Sequence, residues 1–241
     1  MKNKLKTTCS GIIAVLKHEG LGSLISRTTS YIMRRLFLID NYYVSRSIVA
    51  DMPVENEEDF SPKADNFEAR MISTNREADE LVAEGFDLGA YGINLRASLD
   101  TGALSVCIFV DKELAHINCI ADNENGRNVI DPRPFHIDFE KGDIVGGRAI
   151  TVPKYRRLHL RAYSGYLLRK YFRENGYVYT TGTLGVNNYP ALANAARLNI
   201  TRIVSKCRYI KILGFSHFTE VPMEPTQPSE IVARMSYHKK K

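Results

Sequence analysis

The sequence predicts an α/β (α+β) protein, a mixed sheet with helices on its faces. Three observations carry this expectation. Apolar runs such as ALSVCIFVD and ELAHINCIA read as buried strands. Stretches such as SGYLLRKYFRENG and NNYPALANAARLN repeat apolar residues at helical spacing. The two kinds then alternate in the order β, α, β-β, β, α, β, α, β-β, with no internal repeat.

In order along the chain, residues 9–40 read as one or two helices interrupted by Gly20 and Gly22. Leu21, Leu24, Ile25, Ile32 and Leu36 fall on one face, with Arg27, Arg34 and Arg35 off it. Such a helix packs on its own domain or lies on anionic lipid. Residues 1–50 therefore read as a helical N-terminal extension. Residues 51–66, DMPVENEEDFSPKADN, are acidic with two prolines and read as a linker. Residues 67–73 read as a strand, and Asn75 as the cap of a helix with Glu77 and Asp79 in its first turn. Asp111 and Lys112 mark a hairpin turn between two strands, and residues 122–136 a loop. DIVGGRAITV is a strand whose paired glycines imply a bulge. A helix then runs to Gly176, YVYTTGTLG is a strand, and Pro190 opens a further helix that ends at Asn199. Two strands joined near Gly214 follow, and residues 222–241 read as a flexible tail. The main domain is thus expected over 67–221.

Composition narrows the function classes. The 241 residues carry a formal net charge of +6, which suits an anionic small molecule, a membrane surface or RNA. Cys9, Cys107, Cys119 and Cys207 are scattered and the histidines form no ligand pattern, so neither a disulfide framework nor a metal site is expected. Cys107 and Cys119 lie in apolar runs and read as core. The first residues match a secretory signal poorly, and no stretch nears the ~20 apolar residues of a spanning helix, so a cytoplasmic location is expected.

The chemistry concentrates in PKYRRLHLRAY, residues 153–163, between a strand and a helix. Free N–H groups and the helix dipole favour an anion at such a point, and Arg156, Arg157 and Arg161 add bidentate donors. Two other readings stand beside this one. The loop is the solvated start of a helix, or its basic residues and Tyr163, Tyr166 and Tyr171 hold single-stranded nucleic acid. Leu160, Tyr163, Leu167, Leu168, Tyr171 and Phe172 form the buried face of that helix. Arg161, Arg169 and Arg173 form a stripe on another side that reads mostly as solvated helix surface, Arg161 differing because it lies in the first turn. With two of the tyrosines needed for packing and no nucleic-acid signature present, no nucleic-acid partner is expected.

At this loop the chain resembles the GNAT N-acetyltransferases. That family carries a strand, a motif of the form V-x-P-x-Y-R-x-x-G-x-G/A, and a long helix; here Val152, Pro153, Tyr155 and Arg156 stand as V-P-K-Y-R, with the valine one place closer to the proline. Asn188, Ala191, Arg197 and Leu198 match a second family pattern, with Asn199 and Ile200 where G-F usually stands. The resemblance covers about residues 65–221 and implies a mostly antiparallel mixed sheet, in which a bulge splays two parallel strands around the pantetheine arm. It implies acetyl-CoA or another acyl-CoA as co-substrate and an amine as acceptor, with an amino sugar one candidate. The implied CoA contacts are Ile150, Thr151, Val152, Arg156, Arg157, Leu158, His159, Leu160, Arg161, Ala162 and Asn188.

The departures matter. His159 and Arg161 replace the motif glycines, and Ala195 stands where many members carry a tyrosine acid. No catalytic residue is assigned. Glu113, Glu140, Asp143, His116 and Tyr189 are candidates, and His116, inside a strand, reads first as a satisfied core residue. Strand backbone near Ile150 to Val152 would stabilise an oxyanion. The alternative is a GNAT-like domain that binds without turnover.

Overall fold

The computed structural model describes residues 37–89, 95–197 and 200–238. Its strands are β1 (Phe37–Ile48), β2 (Phe67–Ile72), β3 (Leu104–Val110), β4 (Glu113–Ala121), β5 (Asp143–Thr151), β6 (Tyr179–Gly185), β7 (Thr201–Ile212) and β8 (Phe215–Thr226). Its helices are α1 (Asn75–Ala83), α2 (Leu95–Leu99), α3 (Glu124–Ile130), α4 (Leu160–Glu174), α5 (Tyr189–Arg197) and α6 (Pro228–His238). The strands form one mixed sheet in the order β2-β3-β4-β5-β6-β1-β7-β8. The β2–β3, β3–β4, β4–β5 and β1–β6 pairs are antiparallel, and β5–β6 is parallel.

By contact density the chain divides into two units. The larger holds Tyr42–Cys207 and Glu220–Lys241; the smaller holds Met1–Asn41 and Arg208–Thr219.

In the larger unit α4 covers the sheet. Leu160, Tyr163, Leu168 and Phe172 are buried with Val106, Ile108, Val110, Ala115, Ile120 and Ile144. Strands β3 and β4 have side chains buried on both faces, which is why they read as continuous apolar runs rather than alternating ones. Their turn, Asp111–Lys112, has both residues left-handed (φ 51° and 63°), as a two-residue hairpin requires. Cys107 and Cys119 are buried, and burial pushes both thiols up. A second cluster joins Tyr43, Leu192, Ile203 and Ile231.

The acidic stretch expected as a linker lies along α4. Arg169 Nε donates to Glu55 at 2.6 Å, Tyr163 Oη to Glu57 at 2.7 Å, and Arg173 to the Pro53 carbonyl at 3.0 Å. Phe60 stacks on Tyr166, with ring centroids 5.5 Å apart. Burial, then Glu57, pushes the Tyr163 hydroxyl up to about 12. Arg169 is therefore a buried residue, not part of a solvated stripe.

Other expectations are corrected. Residues 37–48 are strand β1 rather than helix, and the rest of the expected N-terminal helices lies outside the described residues. The cap of α1 is Thr74, not Asn75: its hydroxyl accepts from Glu77 N–H, while the Glu77 carboxylate accepts from Thr74 N–H, a full capping box. The helix stops at Ala83. The expected loop 122–136 contains α3, capped by Asn123. Gly126 disguised it, yet a Cβ there would sit 2.9 Å from that of Ala121, so glycine is what lets α3 pack on β4. The expected tail continues β8 to Thr226 and then forms α6.

Candidate functional site

The site begins where two parallel strands part. Asp143, Ile144 and Val145 pair with Tyr179, Thr180 and Thr181, and there the pairing ends. Beyond it β5 stays on β4 and β6 stays on β1, leaving a wedge. At its apex a Cβ on Gly182 would come within 3.0 Å of the Gly146 carbonyl, and one on Gly146 would meet nothing within 4 Å. The expected bulge lies in β5: Ile117 pairs with Ile150 but Cys119 with Gly147, so Arg148 and Ala149 together oppose Asn118. Arg148 is left-handed (φ 44°), and its guanidinium reaches the Val129 carbonyl at 2.8 Å.

The end of β5 is held from beneath by His116. This fully buried side chain contacts Thr151 Oγ1 through Nδ1 at 2.7 Å and Ser164 Oγ through Nε2 at 2.8 Å. The Ser164 hydroxyl donates to the Arg161 carbonyl at 3.0 Å. Nε2–H therefore donates to Ser164, and Nδ1 accepts from the Thr151 hydroxyl. Burial, and secondly the Arg161 charge, lower the imidazole to about 4. His116 is neutral near pH 7 and acts as a tie between β4, β5 and α4.

Val152 N–H donates to the Ala115 carbonyl at 2.9 Å, so it is not free for an oxyanion as the sequence suggested. Strand alternation leaves Thr151 N–H on the edge that β6 has vacated.

The basic loop follows. A short 3-10 turn spans Pro153–Tyr155, and Arg157 (φ 71°) and His159 (φ 60°) are left-handed before α4 begins. His159 thus takes the glycine-like conformation that its place in the motif demands, although it is not glycine. It gives α4 no side-chain cap, and the first turn of α4 holds no acid. The N–H groups of Leu160 and Arg161 precede the first intrahelical bonds, Ala162 and Tyr163 N–H to the His159 carbonyl. Arg156, Arg157, His159, Arg161 and Ala162 are exposed, Leu158 is half-buried and Leu160 is buried, so the two leucines offer only backbone. Ile150 and Thr151 are half-buried and Val152 is buried.

Asn188 is exposed and caps α5: its Oδ1 accepts from Ala191 N–H at 3.2 Å. Glu113 is tied to the loop, accepting from Lys154 and from Tyr155 Oη, and these partners hold its carboxyl below the ordinary range. Asp143 is buried against Arg46, Glu140 is exposed in a 3-10 turn, and Tyr189 is half-buried at the start of α5. The structure therefore gathers the loop residues around one helix end and leaves the candidate bases dispersed.

One acid went unnoticed in the sequence. Asp131, in the loop after α3, is buried and accepts from Thr183 Oγ1 at 2.5 Å. Thr183 lies on β6 two positions past the last parallel pair, and Arg133 also donates to it at 3.1 Å. Burial pushes the Asp131 carboxyl up, against the lowering effect of Thr183 and Arg133. A lone Asp-Pro in a polar loop carries no sequence signal of burial.

A mostly antiparallel mixed sheet, one splayed parallel pair and a strand–loop–helix junction at its mouth make a GNAT-like fold. No protein-family model matches the chain, and no curated protein matches it. Among solved structures it is similar to a GCN5-related N-acetyltransferase from Kribbella flavida, at 12% identity and a TM-score of 0.36, over 69% of this chain and 54% of that one. It is also similar to a tandem GNAT protein of the clavulanic acid biosynthesis pathway, at 11% identity and a TM-score of 0.41, over 83% and 59%. A Drosophila protein is similar at 16% identity and a TM-score of 0.42, over 80% and 58%. The chain spans little more than half the length of these structures. Likeness at these values says nothing of activity. Among the described residues, no helix is long and apolar enough to cross a membrane, and no three His, Cys, Asp or Glu side chains gather as metal ligands.

Proposed function

We propose that the chain is an acyl-CoA-dependent N-acyltransferase, moving an acetyl or other acyl group from the CoA thioester to an amine. The observation that carries this is the wedge between β5 and β6 opening beside the free N-terminus of α4, where Arg156, Arg157 and Arg161 stand exposed. The diphosphate would rest on the Leu160 and Arg161 N–H groups and the arginines. The pantetheine arm would enter the wedge along Ile150, Thr151 and Val152, with Asn188 on its far side. The thioester oxygen would meet strand-edge N–H groups such as that of Thr151. Asp131 is the acid we place on the acceptor side, since its raised carboxyl is the direction a general base needs. An amino sugar is one candidate acceptor.

Calorimetric titration with acetyl-CoA tests the binding step, and the expected result is micromolar affinity weakened by Arg156→Ala. Absence of binding would end the proposal. Thiol release over a panel of amines tests turnover. Asp131→Asn should then lower kcat and leave acetyl-CoA affinity unchanged.

A second reading, binding without turnover, is favoured by one observation. Glu113, Asp143 and His116 are each tied to a partner. Acetyl-CoA binding with no thiol release for any amine would select it.

A further inference from the structure

The two working ends of an acyl-CoA site lie here on different elements. The thioester end is the Thr151 N–H on the edge of β5, and the diphosphate end is the N–H pair of Leu160 and Arg161 at the start of α4. The loop between them does not set their separation by its own preference. Arg157 (φ 71°) and His159 (φ 60°) are both left-handed, which is unfavourable for residues with a side chain. Such a loop keeps its shape only when its surroundings hold it. Lys63 N–H donates to the Leu158 carbonyl at 3.0 Å, and Tyr155 Oη donates to Glu113 at 2.8 Å. Those bonds brace the loop between its ends.

One buried side chain reaches both ends. His116 stands directly across from Thr151 in the β4–β5 ladder and beneath the start of α4. The hydrogen bonds through it run in one direction. Thr151 O–H donates to Nδ1 at 2.7 Å, Nε2–H donates to Ser164 Oγ at 2.8 Å, and Ser164 O–H donates to the Arg161 carbonyl at 3.0 Å. Both ring nitrogens are used. His116 and Ser164 are fully buried, and apolar Ile108 lies directly opposite His116 on β3. Packing alone would be served by apolar side chains, since exchanging buried hydrogen-bonded partners for apolar groups of the same shape can be nearly neutral. What a fully satisfied polar chain adds is a single geometry. Here that geometry joins the end of β5 to the first turn of α4.

We propose that His116 is a positioning residue of the acyl-transfer site. Through Thr151 and Ser164 it holds the strand edge that receives the thioester at a fixed separation from the helix end that receives the diphosphate. It rests on the acyl-transfer reading above, and His116 itself touches neither the thioester nor the phosphates.

Calorimetric titration of the full chain with two probes tests it. Acetyl-CoA needs both ends, whereas 3′-phospho-ADP, its nucleotide part, needs only the helix end. Thr151→Val removes the hydroxyl and keeps a β-branched side chain suited to a strand, which guards against a folding artefact. His116→Gln keeps an amide donor toward Ser164 and gives up the acceptor toward Thr151. Each variant should weaken acetyl-CoA binding at least about tenfold, because the thioester end is then misplaced relative to the other. Each should change 3′-phospho-ADP binding by less than about twofold. Thr151→Ser, which retains the hydroxyl, should bind both probes as the wild type does. The double variant Thr151→Val, His116→Gln should match the weaker single variant within about twofold, because both cut the same tie. The proposal is overturned if Thr151→Val binds acetyl-CoA undiminished, if both probes weaken in parallel, or if the losses multiply in the double variant. It is also overturned if the wild type binds acetyl-CoA no more tightly than 3′-phospho-ADP. All four outcomes leave acetyl-CoA binding itself standing. A wild-type chain that binds neither probe ends the acyl-transfer reading, and the tie with it.

Discussion

The two ends of α4 use arginine in opposite ways. Toward its middle, Arg169 is buried against Glu55 with its guanidinium 5.2 Å from the Phe60 ring centroid, and Arg173 holds the Pro53 carbonyl. At its start, Arg156, Arg157 and Arg161 are exposed with no acid in the first helical turn. Sequence spacing along the helix does not separate Arg161 from Arg169. What separates them is a segment 114 positions away in the chain, whose carboxylate reaches one and not the other. An arginine with a buried partner belongs to the fold, and one left bare beside free N–H groups is available to a ligand.

The largest test of that contrast is Arg169→Ala. It leaves Glu55, itself nearly fully buried, without its cation, and removing one partner of a buried pair costs about 3–5 kcal/mol. Urea unfolding should show that loss. The joint change Arg169→Met, Glu55→Leu should recover most of it, because it removes both charges rather than stranding one. If Arg169→Ala is harmless, the division of α4 is wrong.

His116 lies on the border between the two regimes, and pH sharpens its part. Its folded pKa of about 4 is depressed from the ordinary 6.5, so the unfolded chain takes up a proton first as pH falls. The contribution to stability is complete above pH 6.5 and is lost as pH falls through 4, on the order of 3 kcal/mol in all. His116→Gln should shrink the difference between unfolding free energies at pH 7 and pH 4 by that order. Because burial is the larger cause and Arg161 the smaller, Arg161→Ala should move the acid transition only slightly.

Much of this architecture was legible in the sequence, because the physics was local. The β3–β4 hairpin, the bulge after Gly146 and Gly147, and α4 with its glycine stop follow from periodicity and turn chemistry. The failures were non-local. β1 pairs with β6 more than a hundred positions on, and nothing near FLIDNYYVSRSI records that partner. The segment 51–66 looked like a linker because its acids were read as solvated, whereas Glu55 and Glu57 are consumed by α4. At the site, the basic loop was visible as composition and its left-handed His159 was foreshadowed by the motif glycine it replaces. The Asp131–Thr183 contact was invisible, since it joins a loop to a strand 52 positions away.

The bare end of α4 is probed next by Arg156→Ala. As an exposed residue with no acidic partner among the described residues, it should change stability by no more than about 0.5 kcal/mol. Its hydrogen bonds to a phosphate would be charge-assisted, worth about 1.5–3 kcal/mol, so acetyl-CoA affinity should drop at least about tenfold. A variant that loses stability but not affinity would reverse the assignment of the two ends.

The smallest effect separates two roles within one side chain. Asn188 Oδ1 is already spent as the cap of α5, so Asn188→Ala should cost about 1 kcal/mol whether or not a ligand binds there. That variant alone decides nothing about the site. Asn188→Asp decides it, because aspartate caps as well as asparagine but lacks the Nδ2 donor. If Asn188 only caps, both stability and acetyl-CoA affinity survive. If Nδ2 also holds the co-substrate, stability survives and affinity falls, placing Asn188 with the bare arginines despite its structural bond.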